Sequence, residues 1–455
     1  MEKNLTKGSV FNNIVVFSLP YFLSYLLQTL YGMADLYIIG QFEGVASTTA
    51  VSIGSQVMHM LTVMIVGLAM GATVFIGQAI GGNDRKKAAL GIGNTVTLFM
   101  AVSAVLTVAL ILLVRPITSV MATPADAVSG TVDYLTICFI GIPFITAYNV
   151  ISALFRGMGD SKSPMYFIAV ACAANIGLDY LFMGLFRLGA AGAALGTTLS
   201  QAISVAVSLA VILKKKTGLP ISKSAFKPER PVMGEILRIG VPIAMQDGLI
   251  QIAFIVITII ANHRGLDDSA AVGIVEKVMS FLFLVPSSML STVSALGAQN
   301  IGANKPERAV ATLRYATMLA VGFGIVVAAA MQFFAEPVVA LFTDASATDG
   351  ARVIQLGGQY LRGYVWDCIF AGVHFCFSGY FCAVGKSGIS FLHNIIAIVL
   401  MRIPGVYITS KMFTGTLFPM GLATASGSII SVIICIIAFL ILIRKAKMPS
   451  KENHE

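Results

Sequence analysis

The segment QAIGGN, from Gln78 to Asn83, recurs 221 residues later as QNIGAN, from Gln299 to Asn304. The same shift aligns GVASTTAVSIGSQVM, from Gly44 to Met58, with GLDDSAAVGIVEKVM, from Gly265 to Met279. A shift of 226 residues aligns further identical residues of the two halves: Tyr134 with Tyr360, Leu135 with Leu361, Phe155 with Phe381, and Gly159 with Gly385. The chain therefore predicts two similar halves that follow each other as a direct repeat.

Composition places both halves in a membrane. Hydrophobic residues make up 57% of the 455 residues and charged residues only 11%, against about 25% charged in an ordinary soluble domain. We therefore predict an all-α membrane protein with twelve transmembrane helices in two pseudo-symmetric six-helix lobes. The predicted spans lie near 12–40, 48–80, 91–114, 130–155, 163–186, 188–213, 239–262, 269–300, 309–334, 354–384, 388–412 and 416–443.

A basic, proline-containing connector separates the halves. It occupies residues 214–238, where Pro220, Pro228 and Pro231 are expected to discourage regular structure. The predicted domains are then an N-terminal lobe at 1–213, a cytoplasmic linker at 214–238, a C-terminal lobe at 239–443 and a cytoplasmic tail at 444–455.

The distribution of basic residues predicts the orientation. The formal net charge is +9, and in a soluble protein this would suggest a nucleic-acid partner. Here the basic residues fall in alternate loops, so the charge indicates topology and no nucleic acid is expected. With both termini in the cytoplasm, all but eight of the 30 Lys and Arg lie on the cytoplasmic side of a multi-pass protein of the cytoplasmic (inner) membrane. The eight exceptions are Arg115, Arg187, Arg264, Lys277, Arg352, Arg362, Arg402 and Lys411.

Two aspartates inside predicted spans are the first functional candidates, because an ionisable group within a membrane is costly. Asp35 lies late in span 1, after Gln28 and Tyr31 at spacings that place all three on one helical face. In span 5, Asn175 precedes Asp179 by four residues, again on one face. The topology puts both aspartates nearer the outer ends of their spans, where a cation from outside could reach them.

Carboxylate, amide, hydroxyl and phenol oxygens suit a hard cation such as Na⁺ or a proton held on a buried carboxyl. Thr197 and Thr198 in span 6 could complete the shell, and a Na⁺ site would consist of Asp35, Asp179, Asn175 and Thr197. The alternative role of the amide and hydroxyl residues is hydrogen bonding between helices. Pro20 removes a backbone hydrogen bond from span 1 and is expected to kink it. A kinked helix that carries Asp35 could swing, although proline is also common in membrane spans that do not move.

The second half has no acidic residue at the repeat positions of Asp35 and Asp179. Its intramembrane candidates are Asp247, Glu276, Asp367 and Arg402, and we consider Glu276 and Asp367 as substrate contacts or as partners of Arg402 or a loop base. Met33 is a further substrate candidate, since flexible thioethers suit an adaptable pocket, although lipid-facing packing is the other use of methionine. No Walker A loop is present, so ATP is not expected as the energy source. No cofactor is predicted, and the coupling ion is expected to be Na⁺ or H⁺.

The chain resembles the multidrug and toxic compound extrusion (MATE) family, in its DinF-like bacterial branch. The resemblance rests on the two six-span halves, PYFLSYLLQTLYGMADLYIIG in span 1, the paired GQAIGGN and AQNIGAN segments, and FRGMGDSKSPM after span 4. It implies export of organic cations driven by Na⁺ or H⁺. We expect the protein to be a monomer in contact with membrane lipid. The residues matching the family's N-terminal site are Gln28, Tyr31, Asp35, Asn149, Asn175, Asp179 and Thr197, and Pro20 matches its first-span bend.

Two other classes of function remain as alternatives. A flippase for lipid-linked precursors would need several Arg or Lys facing its cavity, whereas the intramembrane charges of the first half are acidic. A membrane-embedded enzyme would need a motif such as HExxH or GxSxG, and the sequence contains neither. An antiporter that exchanges Na⁺ or H⁺ for organic cations, and not an enzyme, is therefore the leading prediction.

Overall fold

The computed structural model describes residues 4–214, 222–343 and 350–447, with side chains as far as residue 444. Within these residues the secondary structure is helical, and no strand occurs. Lipid offers no hydrogen-bond partners to backbone groups, so a chain this apolar satisfies them inside its own helices. The predicted all-α membrane fold is confirmed.

Ten helices in the described ranges are long and apolar enough to cross a membrane, and two bent helix pairs pass the same test together. Counting each bent pair as one span gives the predicted twelve. Spans 1 to 6 are Val10–Phe42, Val45–Gly81, Arg85–Val120, Ala125–Ile140 with Ile142–Gly157, Lys162–Asp179 with the π-helix Tyr180–Leu185, and Gly189–Lys214. Spans 7 to 12 are Arg230–Asn262, Leu266–Leu282 with Leu284–Gly302, Pro306–Ala340, Gly350–Tyr364 with Asp367–Ala383, Ser387–Met412 with the π-helix Ile398–Arg402 inside it, and Phe418–Lys447.

Span 4 is bent by 49° between its two helices. The break falls at Gly141, and Pro143 follows in the first turn of the second helix. Because proline has no backbone N–H, the hydrogen bonds of the first helix cannot continue through this residue. Span 10 has a similar bend of 42°, but no proline lies between residues 350 and 383. The sequence therefore contains a signal for the first bend and none for the second.

The connector between the halves is shorter than predicted. Span 7 begins at Arg230, so Pro231 occupies the first turn of a helix, where proline is well tolerated. The expectation that Pro231 discourages regular structure is wrong for this reason. Residues 215–221 of the predicted linker lie outside the described residues, as do 448–455 of the predicted tail, and the remaining linker contains a short 3₁₀ turn at Lys223–Phe226. That turn is bonded to span 3, because the side-chain amide of Asn94 donates to the Ala225 carbonyl over 3.1 Å.

Packing divides the chain into two compact units. Unit 1 comprises Met1–Gly248 and Ser294–Ala309, and unit 2 comprises Leu249–Val293 and the chain from Val310 onward. Unit 1 has aromatic residues at its centre, including an edge-to-face pair of Phe155 and Phe167 with centroids 5.4 Å apart. The core of unit 2 contains the fully buried Tyr360. Unit 1 thus holds the first six spans together with parts of spans 7 and 8 and the first turn of span 9. The lobe boundaries drawn from the sequence stay a prediction.

Candidate cation-binding site

Asp35 is buried between spans 1 and 6, with only 3% of its surface exposed. The Thr197 hydroxyl donates a hydrogen bond of 3.0 Å to Oδ2 of Asp35, so these two predicted residues are in direct contact. The other carboxyl oxygen, Oδ1, is buried and has no hydrogen-bond partner among the described residues. Half of the carboxyl is therefore satisfied by the protein, and half is left for another ligand.

Span 5 brings Asp179 and Asn175 to the same place. Both side chains are fully buried, and the Asp35 carboxyl faces the Asp179 carboxyl and the Asn175 amide. Neither oxygen of Asp179 nor either polar atom of Asn175 has a hydrogen-bond partner among the described residues. The structure thus collects four predicted ligands, Asp35, Asn175, Asp179 and Thr197, which we call the carboxylate cluster.

Two facing buried carboxylates cannot both remain charged without a cation. Their mutual repulsion and the loss of water both disfavour the doubly ionised state. A proton between the two carboxyls would relieve the repulsion, and an alkali cation among their oxygens would do the same. The orphaned oxygens of Asp35 and Asp179 are suitable ligands for either, because hard cations take carboxylate, amide and hydroxyl oxygens.

Because Gly196 has no side chain, it leaves space for the Asp179 carboxyl of the cluster. Gly196 was not among the site residues predicted from the sequence. A Cβ built on Gly196 in span 6 would overlap Oδ1 of Asp179, so only glycine allows the carboxyl to lie against this helix. Span 5 changes from α-helix to π-helix at Tyr180, directly after Asp179. Such π segments occur frequently at functional sites because they re-aim the side chains around them.

Replacing Gly196 by alanine is expected to destabilise the protein by about 1–3 kcal/mol, because overpacking forces the Asp179 carboxyl to move. The matched control is Gly177→Ala in span 5, where a Cβ meets nothing within 4 Å and helix propensity favours alanine. Thermal unfolding of the purified protein in detergent measures both. Equal unfolding temperatures for the two variants would contradict the assigned contact.

Tyr31 lies beside the cluster and faces both Asp35 and Gln201. Gln201 is 4% exposed, its Oε1 has no partner among the described residues, and it was not predicted. A signal for it exists, since Gln201 follows Thr197 by four residues and so shares its helical face. Tyr31 and Gln201 extend the polar surface from the cluster along spans 1 and 6.

No hydrogen bond among the described residues joins the remaining first-half candidates to the cluster. Asn149 is buried, but its side-chain amide donates over 2.8 Å to the Ile145 carbonyl of its own helix. Gln28 is half-buried two turns before Asp35, and Met33 is 43% exposed. Pro20 is buried within a continuous helix, and its carbonyl accepts a hydrogen bond of 2.8 Å from the Ser24 hydroxyl.

In unit 2, the two acidic candidates Asp367 and Glu276 both have hydrogen-bond partners. Asp367 is 1% exposed and accepts a hydrogen bond of 2.9 Å from Nη2 of Arg402, which also donates to the Ser428 hydroxyl over 3.1 Å. Of the two roles weighed for Asp367, the structure shows the local pairing with Arg402. Glu276 accepts a hydrogen bond of 3.2 Å from the Thr258 hydroxyl.

Asp247 in span 7 belongs to unit 1, where it lies against span 2. A Cβ on Gly67 would come within 2.8 Å of its Oδ2, so Gly67 leaves space for this carboxyl. Asp247 is half-buried and makes no hydrogen bond or ion pair with the described residues. It is thus an intramembrane acid of unit 1 outside the carboxylate cluster.

Twelve membrane spans arranged as a repeat, with a buried polar cluster inside the first half, define a multi-pass membrane transporter. The family model described as MatE matches residues 20–181 and 242–408, one segment in each half. The chain belongs to this family, the multidrug and toxic compound extrusion transporters. The resemblance drawn from the sequence is confirmed.

Relatives and solved structures agree with this assignment. The chain is 30% identical over 404 residues to the "Probable multidrug resistance protein YpnP" of Bacillus subtilis, with 88% of each chain covered. It is 27% identical over 374 residues to the "Probable multidrug resistance protein YoeA" of the same species, which covers 81% of this chain and 80% of that protein. A structure described as "Outward-facing conformation of a multidrug resistance MATE family transporter of the MOP superfamily" superposes with a TM-score of 0.90 at 23% identity, covering 97% and 98% of the two chains. This last match shows a shared fold.

Proposed function

We propose that this protein is an antiporter that exports organic cations in exchange for Na⁺ or H⁺. The observation that carries the proposal is the pair of facing, buried carboxyls of Asp35 and Asp179. Three of their four oxygens have no hydrogen-bond partner among the described residues, so a bound cation or proton would stabilise them. Multidrug resistance in the names of the relatives supports a drug-like substrate. The distribution of Lys and Arg supports insertion in the cytoplasmic membrane with both termini inside.

Coupling follows from competition for negative charge. An incoming Na⁺ or H⁺ neutralises the carboxylate cluster, and this weakens its attraction for a cationic drug in the same protein. Because Asp35 is on span 1 while Asp179 and Thr197 are on spans 5 and 6, the ion also ties span 1 to its neighbours. Binding of the ion and binding of the drug therefore oppose each other, as antiport requires. We expect a monomer to suffice, with lipid around it and no nucleic acid as a partner.

The flippase alternative receives no support from the buried basic residue of unit 2. Arg402 is paired with Asp367 and bonded to Ser428, so its charge is already compensated. A pyrophosphate-linked lipid would need uncompensated Arg or Lys.

The test is transport by the purified full chain in liposomes loaded with ethidium or another fluorescent organic cation. We expect an inwardly directed gradient of Na⁺ or of H⁺, each imposed separately at zero membrane potential, to drive ethidium export. The gradient that drives export identifies the coupling ion. Liposomes without protein provide the background, and export that responds to neither gradient would refute the proposal.

A further inference from the structure

The repeated QAIGGN and QNIGAN segments pack against each other in unit 1. A Cβ on Gly81 would overlap the Gln299 carbonyl, and a Cβ on Gly302 would overlap the Gln78 carbonyl, so the contact is reciprocal. Both segments end in an asparagine with a left-handed backbone, Asn83 at φ 57° and Asn304 at φ 55°. The ends of spans 2 and 8 therefore meet backbone to backbone, and the glycines permit that approach.

The start of the chain lies on this contact. Leu5 is 3% exposed, and its backbone N–H donates over 3.1 Å to Oε1 of Gln299. The Nε2 of the same Gln299 donates over 3.1 Å to the Gly157 carbonyl at the end of span 4. One fully buried side chain thus joins the start of the chain, the first half and the second half.

Two basic residues of the second half hold the same segment. Lys305 Nζ donates over 3.0 Å to the Thr6 carbonyl, and Arg308 Nη1 donates over 3.1 Å to the Gly8 carbonyl. From the first half, the Asn13 amide donates to the carbonyls of Leu5 and Lys7. Residues 5–8, which we call the N-terminal strap, are therefore bonded to elements of both halves.

We propose that the N-terminal strap is a latch that keeps the ends of spans 2 and 8 together. It thereby holds the transporter closed at the face where these two spans end. Opening the face requires spans 2 and 8 to separate, since their ends touch directly in the closed arrangement. Gln299 cannot keep its bonds to both Leu5 and Gly157 once span 8 moves away from span 4. Release of the strap is thus coupled to opening, and the strap raises the population of the closed state. The inference rests on the proposed transport function, which requires the face to open.

The test measures the distance between spin labels at Lys86→Cys and Glu307→Cys, which are exposed at the starts of spans 3 and 9. All six native cysteines are buried, so the introduced thiols react selectively. In the full chain in liposomes, we expect deletion of residues 2–8 to raise the ratio of long to short distances about tenfold. Lys305→Ala, which removes one tie to the strap, is expected to raise it about threefold.

The matched control is Lys7→Ala, which removes the same charge from an exposed side chain within the strap itself. Its distance distribution should equal that of the unaltered chain. A distribution that is unchanged by Lys305→Ala and by the deletion would overturn the latch. Ethidium export by the same samples separates the two proposals, because the latch is read from distances alone: shifted distances without ion-driven export would overturn the antiport function and leave the latch standing.

Discussion

Asp35→Asn is expected to lower ion-driven export of ethidium about a hundredfold. Asparagine retains the shape of the side chain and an oxygen for the Thr197 hydroxyl, but it can neither carry the negative charge nor take up a proton. Removing one partner from a buried charged contact costs about 2–5 kcal/mol, and about 2.7 kcal/mol corresponds to a hundredfold loss. The initial rate of export from ethidium-loaded liposomes measures the effect.

Asp179→Asn is expected to have a similar effect, because both carboxyls belong to one cluster. The matched control is Asp126→Asn, at an exposed position in the first turn of span 4, which should export at the normal rate. Loss of folding would imitate loss of function, so unfolding temperatures are measured alongside. Since neutralising one of two facing carboxyls relieves repulsion, neither cluster variant should unfold at a lower temperature than the unaltered protein. Export by Asp35→Asn at the normal rate would show that the cluster does not couple ion and drug.

Arg402→Met is expected to destabilise the protein by about 3–5 kcal/mol, because it leaves the Asp367 carboxyl buried without its counter-ion. Methionine fills much of the volume of the arginine stem, so the lost charge dominates the change. Adding Asp367→Asn to Arg402→Met is expected to recover most of the loss, since the unpaired charge is then removed. Thermal unfolding of the single and double variants measures the coupling of the pair.

Arg352→Met is the matched control for this second prediction. Arg352 makes an ion pair of 3.1 Å with Asp267, but its side chain is 70% exposed, so its removal should cost less than about 1 kcal/mol. If Arg402→Met were no more destabilising than Arg352→Met, the buried pair would have no special role. The expected difference would show that unit 2 neutralises its carboxyl internally, whereas no basic residue is among the described groups that the carboxylate cluster faces.

Helical periodicity was sufficient to predict which polar residues of span 5 lie on one face. Asn175 and Asp179 share a face because they are four residues apart, and the structure buries both of them. The same rule also predicts that Gln201, four residues after Thr197, lies on the helical face of Thr197. Gly196 could not be found in this way, because its role depends on the carboxyl of a different helix.

The bends and pairings were predicted less well, since they depend on neighbours distant in sequence. Pro143 marks the break in span 4, while span 10 bends without a proline. The ion pair of Asp367 and Arg402 was one of two possibilities, because spacing along the chain does not tell which side chains meet across spans 10 and 11. Pro231 was misjudged because proline in the first turn of a helix and proline in a loop have the same sequence signature.

Composition, periodicity and the internal repeat were enough to predict a twelve-span membrane protein with a repeated scaffold and two intramembrane aspartates in its first half. They were enough because lipid imposes helices on an apolar chain, and because a charge within a span is costly wherever the span packs. The packing of the helices was needed to learn that Asp35 faces Asp179 while Asp367 faces Arg402, and that the paired QAIGGN and QNIGAN segments touch. Hydrogen bonds and ion pairs depend on distances of a few ångströms between helices, and the order of residues within a helix does not specify those distances.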